Sequence, residues 1–349
     1  MESVSVQSLI KWFKNFNPNK ADSTYTGFKY GIIRIEKILN IAITDLNMND
    51  FNDFDRFNKG ERVNNYSLNT RIQTNLAVLN IIKYFCCDET IAKLVNNPLL
   101  KKWDKRLNTL TLEKKEQNLK QSLTTKEALN WVDYDVLKDK FIQYIDYQIL
   151  DKNIEFSQIR NILLMGLLVL IPPTRIGNYQ FMKLRFIKKA PAKHLMKKHN
   201  YIMMNEDNTF TLCFNKYKTS KFVGQISKDI ANVRLIKLVN QYIIKRKSKV
   251  NNIKNTHFFV NQFGNEMTQT NITDTLKCVS KKITGKELSV NMFRHIFLTH
   301  YGKEDHTIKE NMNLADFMGQ TYNPTQQEKY KKYEADLIKE KHKIIVSFD

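Results

Sequence analysis

Two patterns of apolar residues, separated by a polar segment, constrain the fold of this chain most strongly. In residues 1–100, apolar side chains recur at three- and four-residue steps, which is typical of amphipathic helices. Residues 101–124 are charged, polar and poor in aromatic side chains, which favours an exposed and partly helical connector. With 349 residues, the chain is also longer than one hydrophobic core usually organises. We therefore predict a helical domain at 1–100, a linker at 101–124 and a second domain at 125–349.

The predicted secondary structure is mostly helical. Apolar spacing predicts helices in the first domain at residues 6–15, 28–46, 68–86 and 91–95. In the second domain it predicts helices at residues 135–150, 158–170, 231–246, 271–283, 289–300, 308–318 and 325–341. Short strand-like runs occur at residues 201–204, 210–214, 222–226 and 257–260. The predicted fold class is therefore mainly α with a small β-sheet (α+β).

The chain is strongly basic. It contains 56 Lys and Arg residues against 35 Asp and Glu residues, a formal net charge of +21. Residues 1–120 carry 19 basic and 13 acidic side chains and the rest carry 37 and 22, so the charge is not a detachable tail. Such a charge favours a polyanionic partner, because binding releases the partner's counterions. Nucleic acid is the first candidate, and the lack of a Gly-rich phosphate loop disfavours a nucleotide-binding α/β fold.

Cysteine spacing and apolar run length argue against several protein classes. Cys86, Cys87, Cys213 and Cys278 form no CxxC pair, and no Cys/His run has zinc-like spacing, which predicts reduced thiols in an intracellular protein. The longest apolar run, residues 162–171, is about half of the ~20 residues that span a bilayer. The first residues lack a signal-peptide pattern. We expect a soluble protein with no structural metal, no cofactor and no membrane partner.

Two basic motifs are candidates for phosphate binding. The sequence PPTRIGNY at 172–179 follows the apolar run, and a rigid diproline could hold Arg175 stiffly enough to bind one phosphate. An ordinary surface arginine is an equally good interpretation of this motif alone. The sequence FNKYKTSK at 214–221 places Lys218 at the tip of a predicted hairpin. Such a tip can deliver a lysine into a DNA groove, although basic turns are more often only solvated.

A third motif, SVNMFRHIF at 289–297, puts Asn291, Arg294 and His295 on one side of a predicted helix. With it, the sequence resembles the tyrosine recombinase/integrase family. PPxR, YKT on a hairpin, NxxRH on a helix, the tripeptide MGQ at 318–320 and a downstream tyrosine follow the order of the family's catalytic boxes. The resemblance covers about residues 125–340, and the helical module before it matches the family's core-binding domain.

The resemblance implies a site-specific DNA recombinase or integrase that cleaves and rejoins strands through a 3′-phosphotyrosine intermediate, without metal or ATP. Arg175 and Arg294 would bind the scissile phosphate, and Lys218 would protonate the leaving 5′ oxygen. The chemistry agrees: negative charge grows on the nonbridging oxygens during attack, and two guanidiniums with an ammonium can stabilise it. A metal nuclease would instead need clustered carboxylates, which are sparse around these motifs.

The resemblance also implies the nucleophile. Tyr330 lies ten residues after Gln320, nearer to the family's usual spacing than Tyr333, which lies one helical turn further along. Tyr330 is therefore the expected nucleophile and Tyr333 the alternative. Lysines beside Tyr330 would favour the charged form of its phenol.

The sequence departs from the family at two catalytic positions. The family usually has His or Lys where Asn291 stands, and His or Trp where Gln320 stands. Asn291 cannot accept a proton near neutral pH, so its role reduces to hydrogen bonding. Gln320 can still donate a hydrogen bond to a phosphate oxygen. His295 could substitute for Asn291, although a histidine that faces the core is the more common outcome.

Three interpretations of function remain open: a recombinase, an enzyme that relaxes DNA like a type IB topoisomerase, and a noncatalytic DNA-binding protein derived from a recombinase. The resemblance implies double-stranded DNA as the partner and a homo-oligomer, dimer to tetramer, on that DNA. The phrases at 214–221 and 289–296 are most similar to recombinases of large eukaryotic DNA viruses, virophages and related mobile elements. A viral protein of this kind would work in the host nucleus or in a viral factory.

Overall fold

The computed structural model describes residues 4–86, 95–120, 122–149, 151, 153–186, 198–250 and 256–320. The chain separates into two compact units, Met1–Lys120 and Gln121–Asp349. Helices dominate both units, and a four-stranded sheet lies in the second. The predicted fold class, mainly α with a small sheet, is confirmed. In these described ranges, no helix is both long and apolar enough to cross a membrane.

Helices build the described part of the N-terminal unit. They are α1 (Val6–Phe16), α2 (Asp22–Leu39), α3 (Phe54–Val63), α4 (Leu68–Phe85) and α5 (Pro98–Leu119), with 3-10 turns at Ile43–Asp45 and Met48–Phe51. Helix α2 ends earlier than the prediction of 28–46, because Asn40 adopts a left-handed conformation (φ 53°) that terminates it. The helix predicted at 91–95 lies almost entirely outside the described residues.

Helix α5 begins before the predicted connector and runs through most of it. Asn97 caps this helix by accepting hydrogen bonds from the backbone N–H groups of Leu99 and Leu100. Trp103 is fully buried in the core of the N-terminal unit and donates a hydrogen bond from Nε1 to the carbonyl oxygen of Phe51, 3.0 Å away. The segment at 101–124 is thus helical up to Leu119; Trp103 and Leu110 are buried in its first half, whereas most side chains from Thr111 to Asn118 are exposed.

The second unit contains the remaining described elements. Its helices are α6 (Thr125–Asn130), α7 (Tyr134–Ile149), α8 (Phe156–Val169), α9 (Gly177–Gln180), α10 (Ser220–Val223), α11 (Val233–Lys247), α12 (Gln269–Thr284), α13 (Val290–Tyr301) and α14 (Ile308–Phe317). Its strands are β1 (Lys183–Phe186), β2 (Tyr201–Met204), β3 (Phe210–Phe214) and β4 (Ile226–Ile230). The helix predicted at 325–341 lies outside the described residues.

The sheet has the strand order β1-β2-β3-β4. Strand β1 pairs with β2 in parallel, and the other two pairs are antiparallel. The strands predicted at 201–204 and 210–214 are confirmed. The strand predicted at 222–226 is wrong, because residues 220–223 form the short helix α10 and Gly224 (φ 80°) redirects the chain before β4 begins.

The strand predicted at 257–260 is also wrong. This segment forms only isolated bridges, from His257 to Lys183 and from Val260 to Glu266. Its backbone carbonyl oxygens accept hydrogen bonds from side chains instead, with Arg246 donating to His257 and the Tyr242 hydroxyl donating to Phe258 at 2.9 Å. Side chains therefore satisfy polar groups that a strand partner would otherwise satisfy.

Helix α8 is the centre of the second unit. Every side chain at Ile162–Val169 is buried, and helices α7, α11, α12 and α13 pack around it. A helix that is apolar on all sides must be covered on all sides, which fixes its direction and the place where it ends. The PPTR segment leaves this fixed end, so the fold holds the backbone of Arg175 firmly.

Candidate active site

A cleft of about 450 Å³ opens on the surface of the second unit. Three side chains that the sequence singles out, Arg175, Lys218 and Asn291, line it together although they are far apart in the chain. Its walls come from the segment after α8, the connection between β3 and β4, and the first turns of α12 and α13. The lining residues are Arg175, Ile176, Gly177, Asn178, Tyr217, Lys218, Gln269, Thr273, Ser289, Val290 and Asn291.

The electrostatics of this cleft favour an anion. Among the described residues that line it, Arg175 and Lys218 carry positive charge and none carries a carboxylate. The N-terminal turns of α12 and α13 also face it, and unpaired N–H groups with the helix dipole attract negative charge there. Ser289 caps α13 by accepting a hydrogen bond from the backbone N–H of Met292 at 3.3 Å. Within the described ranges, no group of three His, Cys, Asp or Glu side chains could hold a metal ion.

The two arginines are fixed to neighbouring parts of one wall. Arg175 is half-buried and donates a hydrogen bond from Nη1 to the carbonyl oxygen of Gly319, 3.2 Å away. Arg294 is only 1% exposed and donates from Nη1 to the carbonyl oxygen of Pro173 at 3.3 Å. Arg294 is therefore not part of the cleft lining, but it lies directly behind the segment that carries Arg175.

Tyr179 is buried behind this wall and keeps its phenol in the neutral form. Burial raises the pKa of Tyr179 to about 12, while the nearby Thr174 and the positive charge of Arg294 act in the opposite direction. The Tyr179 hydroxyl donates to the carbonyl oxygen of Leu167 at 3.2 Å. The phenol stays protonated at neutral pH, so Tyr179 braces α9 against α8.

Lys218 lies on a braced turn. Its side chain is exposed, but its neighbours are fixed: the Tyr217 hydroxyl donates to the carbonyl oxygen of Gly224 at 2.6 Å, and Thr219 Oγ1 donates to that of Gly319 at 2.7 Å. A buried amide, Asn200, bonds the backbone of the same turn. The lysine head can therefore move over the cleft while its backbone stays in place.

The carbonyl oxygen of Gly319 joins the Arg175 wall to the Lys218 turn, since it accepts from both. Gly319 adopts φ +64°, and a Cβ atom there would lie 3.2 Å from the Tyr217 ring. Gln320 follows it and is buried, and its Nε2 atom has no hydrogen-bond partner among the described residues. Gln320 does not line the cleft, but it presents an available donor directly beside the residue that joins both walls.

The structure gives His295 a place outside the cleft. Its Nε2 atom lies 4.0 Å from a carboxylate oxygen of Glu127, and its side chain is half-buried. His295 therefore does not take the position that Asn291 occupies. Tyr330 and Tyr333 lie outside the described residues, so their roles stay predictions.

Sequence reasoning missed Asn200, Thr219 and Ser289. Asn200 becomes recognisable only when the fold brings the backbones of 178 and 215–216 together. Thr219 lies inside a motif that drew attention for its lysine. Ser289 has a detectable signal, because a serine just before a predicted helix indicates an N-cap.

No family model and no curated protein matches this chain, but several solved structures do. The XerH site-specific recombinase bound to difH substrate in a pre-cleavage complex is 14% identical, with a TM-score of 0.56, over 93% of this chain and 81% of that chain. Its post-cleavage complex on palindromic difH is 15% identical, with a TM-score of 0.55, over 97% and 84%.

A second kind of protein has the same architecture. The Tn1549 transposon integrase, in complex with transposon right end DNA, is 14% identical, with a TM-score of 0.56, over 98% of this chain and 99% of that chain. At these identities the likeness concerns the fold. The chain therefore has the fold of the tyrosine recombinases, a helical N-terminal unit followed by a unit of helices and a small sheet.

Proposed function

We propose that this protein is a site-specific DNA recombinase or integrase that cleaves and rejoins DNA strands through a 3′-phosphotyrosine intermediate. One observation carries the proposal: Arg175, Lys218 and Asn291 line a single cleft without carboxylates, and Arg294 is bonded to the segment behind it. Similarity to a recombinase and an integrase that were solved on DNA supports it.

In the proposed reaction, the Tyr330 phenol releases its proton to solvent water, its oxygen attacks the scissile phosphorus, and the bond from phosphorus to the 5′ oxygen breaks. Lys218 gives a proton to that leaving oxygen, while Arg175 and Arg294 stabilise the charge on the nonbridging oxygens. Asn291 and Gln320 contribute hydrogen bonds. The phosphotyrosine conserves the energy of the broken bond, so a 5′-hydroxyl can reverse the step and the chemistry needs neither ATP nor a metal ion.

Duplex DNA is the proposed partner of both units. The net charge of +21 is spread over the whole sequence, which favours phosphate contacts along a duplex. The helical N-terminal unit would act as a clamp, as a core-binding domain, and several protomers, dimer to tetramer, would assemble on paired sites. Within this proposal, residues 1–100 form the clamp, residues 101–124 the linker and residues 125–349 the catalytic domain.

Two other functions would use the same cleft or the same basic charge. A type IB topoisomerase-like enzyme would perform the same cleavage without exchanging partners. A noncatalytic DNA-binding protein would keep the basic surface without the chemistry, and the replacements at Asn291 and Gln320 are the features that favour it.

Strand exchange between two labelled duplexes separates these functions. The duplexes should carry the authentic site, which repeats flanking the gene would reveal. A recombinase gives joint products of both labels, whereas a relaxing enzyme removes supercoils from a plasmid without forming them. Binding with neither product would contradict the proposed activity.

The phrases at 214–221 and 289–296 support a further proposal about origin, a relationship to recombinases of large DNA viruses, virophages or mobile elements. Such a protein would work inside the cell, in the host nucleus or a viral factory.

A further inference from the structure

Asn200, the residue before β2, makes hydrogen bonds to two walls of the cleft. Its side chain is 4% exposed. The Nδ2 atom donates to the carbonyl oxygens of Asn178 and Lys216, each 3.0 Å away. The Oδ1 atom accepts from the backbone N–H groups of Asn215 and Lys216, each at 2.8 Å. One buried amide thus uses both of its donors and both lone pairs on backbone groups.

These partners belong to the two segments that carry the cationic residues of the cleft. Asn178 lies three residues after Arg175, and Lys216 lies two residues before Lys218. Only the amide side chains of Asn and Gln combine two N–H donors with a carbonyl acceptor, and Asn200 has the length that makes this set of bonds here. Loss of the side chain would remove these four hydrogen bonds from the backbone, at a cost that favours rearrangement of the turn.

Asn200 holds the backbone just before Lys218, at residues 215–216, and Gly319 holds the residue just after it. The carbonyl oxygen of Gly319 accepts from Thr219 Oγ1, the residue that follows the lysine. Lys218 is therefore held on both sides, although its own side chain is exposed. The backbone of this turn has little freedom to move relative to Arg175.

We propose that Asn200 is a positioning residue, which holds the Lys218 turn against the Arg175 wall so that the ammonium group reaches the leaving 5′ oxygen. This inference rests on the proposed function. Proton transfer needs donor and acceptor within hydrogen-bond reach, and a misplacement of about 1 Å can cost on the order of 100-fold in rate. Asn200 does not line the cleft, so we expect it to act through the Lys218 turn that it holds.

The test compares two leaving groups on one nicked DNA substrate. With the full-length chain, Asn200→Ala should cleave the ordinary 5′-oxygen substrate on the order of 100-fold more slowly than wild type. A 5′-phosphorothiolate substrate should be cleaved at nearly the wild-type rate, because sulfur leaves as a thiolate and needs no proton. DNA binding should be unchanged.

Asn205→Ala is the matched control. Asn205 follows the other end of β2 and bonds the side chains of Thr209 and Thr211, away from the cleft. It should cleave both substrates like wild type. If Asn200→Ala fails to fold, Asn200→Asp replaces it, because the shape is kept while the donated bonds to Asn178 and Lys216 are lost. The same selective loss on the oxygen substrate is expected.

Hydrogen exchange gives a readout that does not depend on cleavage. The backbone N–H of Lys216 should exchange faster in Asn200→Ala than in wild type, because it loses its acceptor. Unchanged exchange, or equal slowing on both leaving groups, would overturn the positioning role. If wild type cleaves neither substrate, the proposed function fails, and the exchange measurement still decides whether Asn200 holds the turn.

Discussion

The guanidinium of Arg175 donates a hydrogen bond to the carbonyl oxygen of Gly319, 3.2 Å away and 144 residues later in the chain. The same oxygen accepts from Thr219 at 2.7 Å. Three segments of the second unit therefore meet at one backbone atom, beside the cleft that Arg175 and Lys218 line. We expect a change in the geometry of this junction to affect DNA cleavage more than DNA binding.

Gly319→Ala tests the junction. At φ +64° a side chain costs roughly 1–2 kcal/mol, and the new Cβ would also press on the Tyr217 ring. We expect lower thermal stability and a loss of cleavage of at least about 10-fold, since the turn must shift. Gly285→Ala is the control. Gly285 also has a positive φ (+77°), but a Cβ atom added there would meet no neighbouring group within 4 Å, so this variant should lose similar stability and keep cleavage. Equal cleavage by the two variants would contradict the junction's role.

Arg175→Ala and Arg294→Ala should each slow cleavage by on the order of 100-fold or more while sparing DNA affinity. Two arginines among 56 basic residues contribute little to binding but much to stabilising transition-state charge. Arg294→Ala should also lower the melting temperature, because that side chain is 1% exposed. Single-turnover cleavage and binding measurements below both melting temperatures check this.

The control for the arginines is Arg234→Ala. Arg234 is a half-exposed residue on α11, paired with Asp146 at 2.8 Å and absent from the cleft lining. It removes the same charge and should leave cleavage unchanged. Near-normal cleavage by both Arg175→Ala and Arg294→Ala would show that the active site lies elsewhere.

Lys218→Ala should be rescued by a 5′-phosphorothiolate substrate. The variant lacks the proposed proton donor, so the oxygen leaving group should depart on the order of 100-fold more slowly, the usual scale of general acid catalysis. Lys216→Ala removes an exposed lysine from the same turn and should behave like wild type on both substrates. Lack of rescue would exclude Lys218 as the general acid.

Long apolar patterns made the helical core predictable from sequence. Helices α4 and α8 lie within a residue or two of the prediction, because their apolar faces recur over many turns. The strand at 222–226 was predicted wrongly because the positive φ of Gly224 is not visible in an apolar count. Burial of Trp103 likewise depends on tertiary packing, so the polar composition of 101–124 did not reveal that the first half of this segment packs on the core.

The candidate site was predictable only in part. Arg175, Lys218 and Asn291 carry local motifs, and the structure brings them to one cleft. Asn200 has no local motif, because the four backbone groups that it bonds lie in two distant segments. Residues whose function depends on convergence of the backbone cannot be recognised before the fold is known.

DNA affinity should fall steeply with salt. Each phosphate that a lysine or arginine neutralises adds about 0.9 to the negative slope of log K against log salt concentration. A protein with a charge of +21 spread over both halves should contact many phosphates. Titrations of one duplex at several salt concentrations check this, and a slope near zero would contradict duplex binding.

The most direct test of the proposed chemistry is to trap the covalent intermediate on a nicked suicide substrate that carries the authentic site. Wild type and Tyr333→Phe should form a protein–DNA adduct that survives denaturation, and Tyr330→Phe should form none, because only one phenol attacks the phosphorus. An undiminished adduct from Tyr330→Phe would transfer the nucleophile to Tyr333, and no adduct from wild type would contradict the phosphotyrosine mechanism itself.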